Sequence, residues 1–179
     1  GLSVSFYSHN DNRSHLYNIL ATLASINVYK DINKLKKDNF LDFNTPKGRG
    51  DISKVKFKKK NIFLVDEAYN SNPLSLKTAI ENYDKIKAKN SKKYLILGDM
   101  LELGKHSVKQ HKLISSIVNK TKIDQVYVIG KYIKESFKGF NLNKKGKILT
   151  NKSNIFDLMN HDLNNNDYLM IKGSNSTGL

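Results

Sequence analysis

The sequence predicts an α/β fold, a doubly wound and mostly parallel sheet preceded by a small helical piece, and three observations carry that prediction. Four short apolar runs, Ile62-Phe63-Leu64-Val65, Tyr94-Leu95-Ile96-Leu97, Val126-Tyr127-Val128-Ile129 and Tyr168-Leu169-Met170-Ile171, are continuous rather than alternating, as suits strands covered on both faces. Segments of helical periodicity lie between them, the alternation that builds a parallel sheet. A Pro/Gly cluster, Thr45-Pro46-Lys47-Gly48-Arg49-Gly50, separates this pattern from what precedes it.

Taken in order, Leu16, Ile19, Leu20, Leu23 and Ala24 predict one amphipathic helix, and Ile32, Leu35 and Phe40 a weaker second. Residues 1–45 are too few for a core of their own and are expected to be the tail of a preceding domain. Residues 46–50 then form a hinge, and 51–179 the α/β domain. The run Lys54-Val55-Lys56-Phe57-Lys58-Lys59-Lys60 alternates like an exposed hairpin strand. Asn72 as N-cap with Pro73 at the first helical position opens a helix with Leu76, Ala79, Ile80, Tyr83 and Ile86 along one face. Another starts near Ser107 and stacks Val108, His111, Ile114 and Val118. Shorter helices are expected at Tyr132 to Phe137 and Asn154 to Met159, with Lys147-Ile148-Leu149 as a minor strand between them.

The formal charge is +15 and the pI near 9.8, which raises nucleic acid or anionic lipid as partners. Nearly all of that charge is lysine, with Arg13 and Arg49 the only arginines, although arginine is the better fork for phosphate and base edges. Lys34, Lys36, Lys37, Lys92, Lys93, Lys144 and Lys145 read as solvated faces, leaving only the Lys54 to Lys60 run dense, so no nucleic-acid partner is expected. The chain has no cysteine, which excludes disulfides and thiolate metal sites. No apolar stretch is long enough to span a membrane, and the first residues do not look like a secretory signal. A cytoplasmic monomer with no membrane partner is expected.

Ligands of an open parallel sheet gather beyond the carboxyl ends of its strands. Here those ends read Asp66-Glu67-Ala68-Tyr69-Asn70-Ser71-Asn72-Pro73, Gly98-Asp99-Met100-Leu101-Glu102-Leu103-Gly104, Gly130-Lys131 and Lys172-Gly173-Ser174-Asn175-Ser176. Asp66 after an apolar strand suits ribose hydroxyls, and Asn70 and Asn72 offer amides to nucleotide or peptide groups, unless they only turn and cap the next helix. Asp99 and Glu102 read first as helix-start acids, not as a catalytic or metal-binding pair. His111 is either a buried structural group or an acid–base group. No GxxxxGK[ST] loop occurs in the chain, so it does not itself cradle nucleotide phosphates.

These strings, with Ser107 and His111, resemble in order and spacing the C-terminal domain of the Mur ligases. Tyr69-Asn70-Ser71-Asn72-Pro73 and Gly98-Asp99-Met100-Leu101-Glu102-Leu103-Gly104 resemble the D-alanyl-D-alanine-adding branch of that family rather than its sister ligases. Arg13-Ser14-His15-Leu16-Tyr17-Asn18 resembles the end of the family's central ATP-binding domain, and Gly48-Arg49-Gly50 its interdomain hinge. The resemblance implies an ATP-dependent amide ligase that joins D-alanyl-D-alanine to UDP-N-acetylmuramoyl-tripeptide through an acyl phosphate, in cell-wall precursor synthesis. It implies ATP and Mg2+ as cofactors, the Mg2+ ligands lying in a part of the enzyme other than this chain.

Residue by residue, the resemblance puts His15 and Asn18 near the adenine, Arg49 at the ATP phosphates and Asp66 at the ribose. Lys172, Gly173 and Ser174 would hold the dipeptide or the developing charge, so that Arg49, Lys172 and Ser174 are the catalytic candidates, with Asn70, Asn72 and Asp99 in the same substrate pocket. Leu16 stands where the family usually has asparagine, and Ser14 where it has glycine. Without a P-loop the chain alone is expected not to turn over substrate. The competing readings are a non-catalytic basic α/β module binding nucleic acid or another polyanion, and a sister ligase acting on another amino acid.

Overall fold

A computed structural model describes residues 4–9, 13–43 and 48–179. It divides into two compact units, Gly1–Pro46 and Lys47–Leu179. Thr45, Pro46 and Lys47 of the expected hinge region, and the side chains of Arg13 and Ser14, lie outside the described residues.

In the first unit, α1 spans Arg13–Tyr29, but its inward face is not the expected one. Ile19 is buried and Leu23 partly so, whereas Leu16, Leu20 and Ala24 are exposed. The inward stripe instead carries His15, whose ring lies 5.5 Å from Phe43, while Phe40 makes edge contacts with Phe6 and Phe43. The expected second helix does not form as an α-helix. Only a 3₁₀ turn at Ile32–Lys34 appears, because the Asp31 side chain accepts from the Asn33 backbone and amide N–H groups and Leu35 leaves in an extended conformation.

The second unit is a six-stranded sheet in the order β1-β2-β6-β3-β4-β5. Its strands are β1 (Asp51–Phe57), β2 (Lys60–Glu67), β3 (Lys93–Gly98), β4 (Gln125–Ile129), β5 (Lys145–Leu149) and β6 (Tyr168–Lys172). All neighbours are parallel except the β1/β2 hairpin. Four helices connect them: α2 (Pro73–Lys85), α3 (Ser107–Asn119), the single turn α4 (Lys134–Phe137) and α5 (Ser153–His161). The continuous apolar runs divide by alternation between two cores. Leu95, Leu97, Val126, Val128 and Met170 join α2 and α3 on one face; Tyr94, Ile96, Tyr127 and Leu169 join Leu158 of α5 on the other.

Placing β6 between β2 and β3 brings the carboxyl ends of three strands side by side, with Glu67 opposite Lys172 and Lys172 opposite Leu97. The edge strand β1 carries the expected exposed lysines Lys54 and Lys56, a common way to blunt an open sheet edge. Two lysines read as solvated are buried instead. Lys93 donates to the Asp84 and Ile86 carbonyls at the end of α2, and Lys144 to the Thr121 and Ile123 carbonyls after α3. The Lys93 ammonium satisfies acceptors that a helix end leaves behind, and the Lys144 ammonium those of the loop leading into β4.

Candidate functional site

The carboxyl edge of the sheet is built from four loops tied to one another by backbone hydrogen bonds. Gly48 and Gly50, at φ 81° and 95°, let the segment before β1 run close along the end of β2. The Gly50 N–H donates to the Asp66 carbonyl and the Tyr69 N–H to the Gly48 carbonyl. A Cβ on Gly48 would stand 3.1 Å from the Tyr69 nitrogen, so glycine is what permits this approach. Between these glycines the exposed Arg49 lays its guanidinium over the Tyr69 ring, 4.5 Å from the centroid.

Lys172, expected to face the substrate, is 1% exposed. Its ammonium donates to the Asn70 carbonyl (2.7 Å), the Glu67 carbonyl (3.2 Å) and Glu67 Oε2 (3.4 Å). All three of its N–H donors are thereby engaged, so it braces the loop after β2 and does not reach outward. Burial pushes the Lys172 ammonium below its ordinary value and the Glu67 carboxyl above its own, and in both groups the mutual attraction opposes the shift without cancelling it.

Ser174 is likewise turned inward. Its hydroxyl accepts from the Leu101 N–H and donates, at 3.4 Å, to the Ser71 carbonyl, while its own N–H donates to the Asp99 carbonyl. It is the clasp between the loops after β2, β3 and β6. Gly173 permits the close packing of β6 on β3, since a Cβ there would stand 3.3 Å from the Gly98 Cα.

Asp99, read first as a helix-start acid and by resemblance as a residue of the substrate pocket, turns toward the loop after β4. Its carboxylate accepts from three successive backbone N–H groups, Lys131 on Oδ2 and Tyr132 and Ile133 on Oδ1, at 2.7–2.9 Å. It therefore fixes the turn after β4, not the start of its own helix, and has little left for a substrate. His111 settles as a structural group. The Met100 N–H can only donate to its Nε2 and the Ser107 carbonyl can only accept from its Nδ1, so the ring carries its proton on Nδ1. The Asp99 Oδ1 at 3.9 Å from Nε2 is a neighbour and not an ion-pair partner.

The nucleotide candidates divide between the units. In the second, Asp66 accepts from the Ala68 N–H with Oδ1, and its other oxygen has no hydrogen bond among the described residues. In the first, His15 is 1% exposed with neither ring nitrogen hydrogen-bonded among the described residues, and Asn18 is exposed. Asn70 is exposed and accepts from the Ser71 N–H. Asn72 is committed to a capping box with Ser75. The structure adds Glu67 and Tyr69 to this edge. Both stand in the strand-end string after β2, but no role could be read for them there, because their partners Lys172 and Arg49 meet them only through the β2/β6 register and the fold of the glycine loop. A cavity of about 280 Å³ lies elsewhere, under α5 and lined among others by Tyr127, Leu149, His161 and Asp162, and shares no residue with this edge.

A sheet of this order, with glycine-rich and polar loops gathered at one carboxyl edge, defines a ligand-binding α/β domain. The family model described as "Mur ligase, glutamate ligase domain" matches residues 53–175, and the chain belongs to that family. Among curated proteins it is 34% identical over 119 residues to the UDP-N-acetylmuramoyl-tripeptide–D-alanyl-D-alanine ligase of Buchnera aphidicola subsp. Acyrthosiphon pisum, covering 65% of this chain and 25% of that protein. It is 31% identical over 115 residues to the ligase of the same name from Bacillus subtilis, covering 62% and 25%. The chain thus spans about a quarter of the length of these relatives. The crystal structure of the MurF ligase of Thermotoga maritima in complex with ADP superposes with a TM-score of 0.66 over 90% of this chain and 35% of that one, at 24% identity, and shares its fold.

Proposed function

We propose that the chain is the C-terminal part of an ATP-dependent ligase that joins D-alanyl-D-alanine to UDP-N-acetylmuramoyl-tripeptide, acting with a separate P-loop-bearing domain. One observation carries this reading. The Tyr69 to Pro73 and Gly98 to Gly104 strings, which resemble the D-alanyl-D-alanine-adding branch, lie at the ends of β2 and β3 and are clasped together by Ser174 after β6. The names of the curated relatives support it.

In such a ligase ATP supplies the phosphoryl group that activates the tripeptide carboxylate, and the dipeptide amine then displaces phosphate from the acyl carbon. The chemistry is chiefly positioning and charge neutralisation. Arg49 is the exposed arginine of this edge and supplies charge to the phosphates, while the Asp66 oxygen left free by Ala68 accepts from ribose hydroxyls. Lys172, Ser174 and Asp99 act through the backbone, holding the loops after β2, β3 and β4 rigid against one another. The backbone amides and carbonyls of those loops and the Asn70 amide are what this chain offers the dipeptide. Among the described residues no three His, Asp or Glu side chains gather as a metal-binding cluster.

The test is a chimera carrying the N-terminal and central domains of the Bacillus subtilis relative. It is expected to ligate D-alanyl-D-alanine in an ATP-dependent manner, followed by ADP release. Arg49→Ala should lower kcat about 100-fold, as loss of a charge-stabilising donor does, while Lys58→Ala on the hairpin turn leaves it unchanged. A working chimera indifferent to both substitutions would sink the assignment of this edge.

A further inference from the structure

We infer that Tyr69 is the positioning residue for Arg49: its ring is the plate that fixes the guanidinium before a phosphate-class anion arrives. The identity of that anion rests on the ligase reading; the contact itself does not. Three observations converge on it. The Tyr69 ring lies 4.5 Å under the Arg49 Cζ. Among the described residues the guanidinium makes no hydrogen bond or close ion pair, the Glu67 carboxylate attracting it only from a distance while pairing with Lys172, so the ring is its one direct contact. The two backbones are also locked together, by the Tyr69 N–H donating to the Gly48 carbonyl and by a glycine whose Cβ would collide with Tyr69.

Tyr69 is 44% exposed, so core packing does not enclose its ring and a face is left for the guanidinium. A solvent-exposed arginine has many rotamers, and ordering it on demand weakens every contact it then makes. Stacking on an aromatic face restricts the side chain while leaving the in-plane N–H donors of the guanidinium for a planar, bidentate grip on an anion. The tyrosine hydroxyl has no hydrogen bond among the described residues, which assigns the work to the ring and not to the phenol.

That last point makes the conservative variant informative. The sequence has two arginines, so the 179-residue chain gives two arginine Nε–Hε NMR signals, and Arg49→Lys identifies the one of interest. In the wild type the Arg49 Nε should be ordered on the nanosecond timescale and its δ-methylene protons shifted by the ring current. Tyr69→Phe should preserve both; Tyr69→Leu should abolish both while leaving the amide spectrum of the six strands intact. In the chimera, Tyr69→Leu should lower kcat about two- to fivefold, the equivalent of one exposed cation–π contact, and Tyr69→Phe should restore it.

Equal Arg49 order in wild type and Tyr69→Leu, or a Tyr69→Phe that behaves like Tyr69→Leu, overturns the proposal while leaving the ligase reading in place. Conversely, if Tyr69→Leu frees the guanidinium in the isolated chain but Arg49→Ala is harmless in an active chimera, the positioning contact stands and the ligase assignment of this edge fails.

Discussion

Asp99 shows how much a single side chain can organise from the end of a strand. It lines up three backbone N–H groups after β4, and Gly130 at φ 145° leaves room for it: a Cβ there would stand 2.5 Å from the carboxylate. Asp99→Ala strands those donors in a largely buried turn and should cost roughly 3 kcal/mol in urea unfolding. Asp99→Asn, which keeps one acceptor oxygen, should cost less. Equal losses would mean that the charge and not the hydrogen-bond count matters. The Glu67–Lys172 pair makes a prediction of opposite kind. Because the folded Glu67 carboxyl keeps its proton above the ordinary 4.5, the folded state binds more protons than the unfolded state just above that pH. Stability therefore falls as pH rises from 4.5 through the raised value. The urea midpoint of the wild type should decline relative to Glu67→Gln over that window. A relative rise would show that attraction to Lys172 outweighs the loss of hydration. Lys172→Met, which strands Glu67 and two carbonyls, should cost about 3–5 kcal/mol at neutral pH.

At the scale of elements, α2 is the best-signalled helix in the chain. Asn72 caps it reciprocally with Ser75, Pro73 starts it, and Leu76, Ala79, Ile80 and Tyr83 are its buried face. Asn72→Ala should cost about 1 kcal/mol by thermal or urea unfolding without altering the sheet; no loss would mean that packing alone sets the start of the helix. Elements whose signal is local were readable in the same way: the four apolar strands, the hairpin run, and the helices after Asn72 and Ser107. Those decided by tertiary context were not. The face of α1 followed the aromatic residues Phe40 and Phe43 rather than its own leucines, and the second helix lost to the Asx turn at Asp31. Strand order is invisible to periodicity, and it is the insertion of β6 between β2 and β3 that joins Lys172 to Glu67. The position of the candidate edge was thus legible from strand ends, but the roles along it were not. Residue type suggested that Lys172, Ser174 and Asp99 meet a ligand; their hydrogen bonds tie the loops of this edge to one another.

For the molecule as a whole, the +15 charge is distributed so that part of it serves the fold. Lys93, Lys144 and Lys172 are buried against carbonyls, Lys60 donates to the Asn160 and Leu163 carbonyls, and Lys58 to the Asn160 side chain. The dense lysine run is therefore partly internal bracing. The two cores likewise consist entirely of residues from Val55 to Ile171, all within the unit Lys47–Leu179. A unit that owns every residue of both cores has what it needs to fold alone. Residues 47–179, produced separately, should unfold in urea in one cooperative transition that circular dichroism and tyrosine fluorescence report at the same midpoint. Non-coincident transitions, or a spectrum with secondary structure but no fixed aromatic environment, would show that the sheet depends on the first 46 residues for its packing.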